Sequence, residues 1–219
     1  MAKTNLTAVI LTLLVIVGLF SVAGALVWMG SLMKSRSGST PSVTVATPTP
    51  TTNSSGSLNQ IAKSDRQVDY SKLRTYLQQK NWKAADRETY ERMLEAAGPQ
   101  AQALGYTPQT EMDTLSCTDL KTIDGLWSAA SEGKFGFTAQ QRILKALGDY
   151  RKMYEQVGWQ KLSGEWLIEW TYNPQTKRLD YKPGKEPNFT TPPPGHLPTV
   201  ERGYNFDVSL DAVLKRCGF

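Results

Sequence analysis

Histidine is almost absent from this chain: His196 is the only one in 219 residues. A metal centre built on several histidines is therefore excluded. A Ser-His-Asp triad would have to use this one residue, and no nucleophile motif accompanies it. Cysteine is scarce too. Cys117 and Cys217 stand far apart with no CxxC spacing; they could pair, but two cysteines make no disulfide framework, and two reduced thiols are expected. Phosphate-binding glycine loops, dinucleotide fingerprints and HExxH are missing. So is clustered positive charge. The net charge is +5, but from Tyr70 onward 20 Lys and Arg stand against 18 Asp and Glu. That is no nucleic-acid footprint, and Lys34, Arg36, Lys63 and Arg66 read as juxtamembrane and linker charges. Asp86, Glu88 and Glu91 read as a solvated helix face. With no catalytic constellation, an enzyme is not expected.

Charge is also missing from Leu6 to Met33, a run of 28 residues without Asp, Glu, Lys or Arg. About 20 apolar residues cross a bilayer core as a helix. Lys3 flanks one end, Lys34 and Arg36 the other, and Trp28 suits a headgroup position. Ala23-Gly24-Ala25 resembles a cleavage site, but a signal peptide's apolar region is about 7–15 residues long. A single transmembrane anchor is predicted over residues 1–34, with the membrane contacted through Leu6–Met33. Residues 35–68 are rich in Ser, Thr, Pro and Gly and read as a flexible linker, because they cannot bury enough apolar surface to offset ordering entropy. Asn53-Ser54-Ser55 is a formal glycosylation acceptor. The folded domain is expected over 69–219.

Within it the periodicity is helical. Leu73, Tyr76 and Leu77 share a face behind Asp69 as N-cap. Asn81 caps a helix over Trp82–Ala97, where Ala85, Thr89 and Met93 form one stripe and Tyr90, Leu94 and Ala97 its neighbour; Gly98-Pro99 stops it. A third helix is predicted from about Thr118 to Ser131, with Ile123, Leu126 and Trp127 inward. Thr138 should cap a fourth, Ala139–Leu147, ended by Gly148. A fifth covers about 149–157, and a closing helix about 207–216. Trp159 to Tyr172 is ambiguous between helix and strand, and 173–205 reads as one long loop. The class expected is all-α.

Nineteen of the 21 aromatic residues lie from Tyr70 onward. Trp82 and Trp127 read as core. Trp159, Trp166 and Trp170 fall within 12 residues, beside Tyr172 and the long loop; flat side chains lining a concavity suit a large planar apolar ligand.

The segments LRTYLQQKNWKAADRETYERMLEAAG, CTDLKTIDGLWSAASEGKFGFTAQQRI, VGW and GHLP occur in this order. Together they resemble the genomes-uncoupled-four (GUN-four) family of tetrapyrrole-binding proteins, from about Tyr70 to the C-terminus. The resemblance implies a compact helical domain shaped like a cupped hand. It implies binding of protoporphyrin IX or Mg-protoporphyrin IX in a greasy palm, as passing ligand and not permanent cofactor. It also implies a regulator or carrier in chlorophyll synthesis that stimulates magnesium chelatase, with the chelatase large subunit as partner. Phe135 and Phe137 of GKFGF fall near the palm, Gly195-His196-Leu197-Pro198 forms a mobile lid, and Arg202 and Arg216 face the propionates. The full expected lining is Leu126, Phe135, Phe137, Val157, Trp159, Trp166, Trp170, Tyr172, His196, Leu197, Arg202, Tyr204 and Arg216. His196 offers an axial ligand to a bound metal, although a lone His beside prolines is more often a structural loop residue. The anchor and linker depart from the family pattern, and the segment after GHLP resembles it only loosely. A linear bilin is thus an alternative ligand, and an interaction module without pigment an alternative function. Flanking charge leaves membrane orientation open; the resemblance tips it to the cytoplasmic side, where tetrapyrroles are made and thiols stay reduced.

Overall fold

A computed structural model describes residues 62–199 and 209–219. The expected anchor Leu6–Met33, most of the linker, Arg202 and Tyr204 lie outside these residues. Among the described residues no helix is long and apolar enough to cross a membrane.

The elements run α1 (Ser71–Gln78), α2 (Trp82–Ala97), α3 (Pro99–Leu104), α4 (Gln109–Met112), α5 (Cys117–Ser131), α6 (Phe137–Leu147), α7 (Tyr150–Gln156), β1 (Trp170–Asn173), β2 (Arg178–Tyr181) and α8 (Asp211–Arg216). The fold is mostly helical, and the all-α expectation needs one correction. Residues 170–181 form an antiparallel hairpin in which Trp170 pairs with Tyr181 and Asn173 with Arg178. Its β-branched and aromatic residues fit a pleated surface. Asn173 turns the tip by accepting the Gln175 and Thr176 amides, an Asx turn that fixes where the strand ends.

α1 and α2 form the expected helical hairpin. Asn81 accepts the Ala84 amide at 3.2 Å and starts α2 at Trp82 as read from sequence. Asp69 is not the N-cap of α1, because Tyr70 holds that position; it accepts the Ser71 amide one residue upstream. Leu73 and Leu77 pack into the core with Met93 and Leu94 of α2 and Leu120, Ile123, Leu126 and Trp127 of α5. Trp127 also donates its indole N–H to Thr89 Oγ1 at 2.8 Å, which satisfies the buried dipole.

Asp86 and Glu88 do not sit on a solvated face. They are 2 % and 3 % exposed. Asp86 accepts from the Thr199 amide, the Thr199 hydroxyl and the Tyr181 hydroxyl. Glu88 pairs with Lys72 and Arg92. A buried carboxylate needs such partners, since an unpaired one is strongly penalised. Ordered contacts also begin earlier than residue 69: the Thr122 hydroxyl donates to Lys63 O, and the Ser116 hydroxyl donates to Asp65.

The expectation of two reduced thiols is overturned. Cys117 opens α5, Cys217 closes α8, and the fold brings their Cα atoms to 5.2 Å in a disulfide. No spacing rule could reveal this, because 100 residues separate them.

Candidate functional site

The site is built on α6. The helix begins at Phe137, two residues before the expected start, because its cap comes from another helix. Asp124 of α5 accepts the Thr138 amide at 2.8 Å and the Thr138 hydroxyl at 2.6 Å. Burial pushes the Asp124 carboxyl up, against the pull of those bonds. Gly136 makes the approach possible: its φ is +105°, and a Cβ there would lie 2.6 Å from Asp124 Oδ1. One face of α6 then packs Phe137, Gln140 and Leu144 inward. Thr138, Gln141, Arg142 and Lys145, at helical spacing, form another face.

That second face borders a cavity of about 660 Å³, lined by Thr138, Gln141, Arg142, Leu144, Lys145, Gly148, Tyr150, Lys215 and Phe219. Such a volume falls within the roughly 300–1,000 Å³ of small-molecule sites. Leu144 and the rings of Tyr150 and Phe219 give it apolar walls, and Phe219 is braced edge-on by Phe137 with centroids 6.1 Å apart. Arg142, Lys145 and Lys215 give it positive charge.

A single buried carboxylate organises the walls. Asp211 accepts Gln141 Nε2 at 2.8 Å, the Tyr150 hydroxyl at 2.6 Å and Lys215 Nζ at 2.6 Å. It therefore ties α6, α7 and α8 together beside the cavity. Burial pushes this carboxyl up, but the bonds from Lys215, Tyr150 and Gln141 outweigh that and hold it below the usual carboxylate range. The same contacts raise Tyr150, chiefly through its bond to Asp211, and raise Lys215. Tyr150 thus stays a neutral phenol and Lys215 a cation.

The GUN4-like family pattern matches residues 63–210. This chain belongs to the GUN4-like family. It is similar to the chloroplastic tetrapyrrole-binding protein of Arabidopsis thaliana, 32% identical over 127 residues that cover 58% of this chain and 46% of that protein. It is likewise similar to the Ycf53-like protein of Synechocystis sp., 32% identical over 136 residues, 62% of this chain and 52% of that one. The chain thus spans about half the length of these relatives. Among solved structures it resembles GUN4 from Chlamydomonas reinhardtii, with a TM-score of 0.51 and 25% identity, over 67% of this chain and 91% of that one.

Against this GUN4-like frame, the residues expected to line a palm fall in three places. Leu126, Phe135, Phe137, Val157, Trp159, His196 and Leu197 are fully buried in the core. Phe135 lies edge-on to both Trp82 and Trp127, which stack on each other, and Trp159 donates its indole N–H to His196 O. Trp166 is half-buried against Tyr154, Trp170 is half-buried on β1 against Tyr181, and Tyr172 is 45 % exposed on β1. Arg216 points to another side of α8, where its guanidinium donates to the Asp113 carbonyl and, at 2.7 Å, to the Leu115 carbonyl. Among the described residues, none of these lines the 660 Å³ cavity.

The GHLP segment, expected as a mobile lid, is packed against α6 and Val157 in this structure. Gly195 has φ +77°, and a Cβ on it would lie 2.6 Å from Ile143 Cδ1 and 2.9 Å from Val157 Cγ1. Gln140 Nε2 donates to both the Gly195 and Pro198 carbonyls. His196 Nδ1 donates to Val157 O, while Nε2 accepts the Asn188 amide at 3.0 Å. Both ring nitrogens are committed, so His196 is no axial ligand in this arrangement. Its pKa is lowered, first by burial, against the opposing pull of the Val157 carbonyl.

Sequence reasoning did not single out the cavity-lining residues Gln141, Arg142, Lys145, Tyr150, Lys215 and Phe219. One signal was available: residues 138, 141, 142 and 145 fall at i, i+3, i+4 and i+7 on one helix face, with two cations among them. The contributions of Lys215 and Phe219 depend on tertiary packing of the C-terminus and carried none.

Proposed function

We propose that this GUN4-like chain is a membrane-tethered porphyrin-binding protein that takes protoporphyrin IX or its magnesium complex at the α6–α7–α8 cavity. The observation that carries the reading is an apolar-walled cavity of about 660 Å³ with Arg142, Lys145 and Lys215 at its edge, in a chain whose Arabidopsis relative is named for tetrapyrrole binding. A porphyrin is a flat apolar ring with two carboxylates. It needs broad apolar walls and a few cations, which bind carboxylate by charge-assisted hydrogen bonds. The proposed role is that of a regulator or carrier in tetrapyrrole synthesis, not a catalyst, with the large subunit of magnesium chelatase as partner. The anchor Leu6–Met33 would hold the cavity near a bilayer into which porphyrins partition, with the domain on the cytoplasmic side.

The test is titration of the full chain in mild detergent with protoporphyrin IX, followed by Soret shift and tryptophan quenching. Saturable binding that weakens in Arg142→Ala supports the reading. Absence of any saturable change overturns it. Co-purification with the chelatase large subunit, enhanced by porphyrin, tests the partner.

A further inference from the structure

We infer that the Cys117–Cys217 pair is a redox clasp that controls ligand binding at the α6–α8 cavity; this rests on the cavity being the pigment site. Cys217 lies beyond the family match, which ends at residue 210, so the clasp is argued from this chain's own geometry. It joins the first residue of α5 to the residue that closes α8. α8 has six residues, and a helix that short has no stability of its own in water. It stays in place through burial of Leu210, Val213, Leu214 and Cys217, through Arg216 on the Asp113 and Leu115 carbonyls, and through this covalent bond.

What α8 carries is the cavity wall. Asp211 holds Gln141, Tyr150 and Lys215, and Phe219 follows the clasped cysteine by two residues. The Phe219 amide bonds back to Leu214 O. Opening the disulfide releases the covalent tie at the point where this wall turns. On the cytoplasmic side, glutathione and thioredoxin-type dithiols keep most thiols reduced, and disulfides that do form there are commonly transient and redox-sensing.

The chemistry balances with a dithiol as the reductant. Its thiolate attacks Cys117 Sγ, since Cys117 is only half-buried whereas Cys217 is 4 % exposed. The Cys117–Cys217 bond breaks, a mixed disulfide forms, and Cys217 leaves as thiolate and takes a proton. The second thiol of the reductant then displaces Cys117. Two electrons and two protons pass to the protein, and the dithiol becomes its own disulfide.

The coupling is reciprocal. If the clasped form binds pigment about tenfold tighter, within the usual range of such couplings, saturating pigment makes the clasp about tenfold harder to reduce. For a two-electron couple that is a shift of about 30 mV.

The experiment uses the full chain in mild detergent, with protoporphyrin IX as probe. Affinity is measured on the air-oxidised protein and again after dithiothreitol, with alkylation and mass measurement counting free thiols in each. About tenfold weaker binding in the reduced form is expected, reversed on reoxidation. Cys117→Ser/Cys217→Ser should bind like the reduced protein and ignore dithiothreitol. The dithiothreitol arm stands even if that variant folds poorly. Equal affinity in both redox states overturns the clasp while leaving the pigment site intact. Two free thiols in the air-oxidised protein also overturn it. No binding in either state overturns the pigment reading and the clasp together.

Discussion

Lowering the pH from 7 to 5 should destabilise this fold chiefly through His196. The ring is buried, its Nδ1 donates to Val157 O and its Nε2 accepts the Asn188 amide. Protonation would set two N–H groups face to face at Nε2 and place a charge in the core. The Asp86 carboxylate opposes this by favouring the charged ring, but burial dominates and the folded pKa is lowered below the ordinary 6.5. The sign follows: the unfolded chain takes up a proton as pH falls through 6.5 and the folded chain does not, so stability present above 6.5 is lost on acidification. One proton gives a slope of at most about 1.4 kcal/mol per pH unit between the unfolded and folded pKa values. Because His196 is the only histidine, no other side chain with an ordinary pKa titrates in the middle of this window. The assay is urea unfolding of wild type and His196→Gln at half-unit steps from pH 5 to 7. Wild type should lose about 1 kcal/mol or more across the range, and the variant should be nearly flat. Equal slopes in the two proteins would refute the assignment.

Arg142→Ala and Lys145→Ala should each weaken protoporphyrin IX binding by up to about fivefold, the worth of a partly exposed ion pair. The loss should vanish for the porphyrin dimethyl ester; an equal loss with the ester contradicts carboxylate recognition. Gly195→Ala should cost about 1–3 kcal/mol in thermal or urea unfolding, because its Cβ would meet Ile143 and Val157; wild-type stability would refute the close packing. Phe135→Ala should lower stability by about 3–5 kcal/mol, since Phe135 is buried edge-on against the stacked Trp82 and Trp127. A variant of unchanged stability that had lost pigment binding would return Phe135 to the ligand wall.

The local signals in the sequence located helices well and walls poorly. α2 was legible to the residue because its cap, stripe and Gly98-Pro99 stop all lie in one stretch of chain. α5 was legible to within one residue, with Ser116 accepting the Asp119 amide as its cap. α6 was misplaced at its start because Asp124, a partner from a different helix, supplies the cap. The hairpin was hidden because Trp159 to Tyr172 has no clean period. Aromatic clustering pointed to Trp159 and Phe135 as candidate lining, and the structure buries both; rings of that size are the groups whose burial stabilises a small core most. Aromatic content alone does not separate a wall from a core. The covalent pairing of Cys117 and Cys217 was beyond local reading, since only the closed fold brings them together.

The family match ends between the two walls of the cavity: Thr138 to Tyr150 lie within residues 63–210, and Lys215 and Phe219 lie beyond them. The strings that carry the family resemblance, from the α1–α2 hairpin through GKFGF to GHLP, mostly build the core: Leu126, Phe135, Phe137, His196 and Leu197 are all buried. Those five residues hold α6 in place without themselves lining the cavity. The cavity's distal wall is α8 and the residues after it, all outside the family match, and a helix of six residues is positioned entirely by what grips it. The grips are of three kinds: apolar burial of Val213 and Leu214, the guanidinium of Arg216 on two carbonyls, and the disulfide. Asp211 then converts that placement into site geometry by fixing Gln141, Tyr150 and Lys215 at once. A change in any grip moves three lining residues together. Asp211→Asn should accordingly shift pigment affinity more than any single lining substitution, while leaving the α1–α2–α5 core intact. Hydrogen exchange separates the two: protection lost only over α6–α8 agrees with this account, and loss spread through α2 and α5 contradicts it.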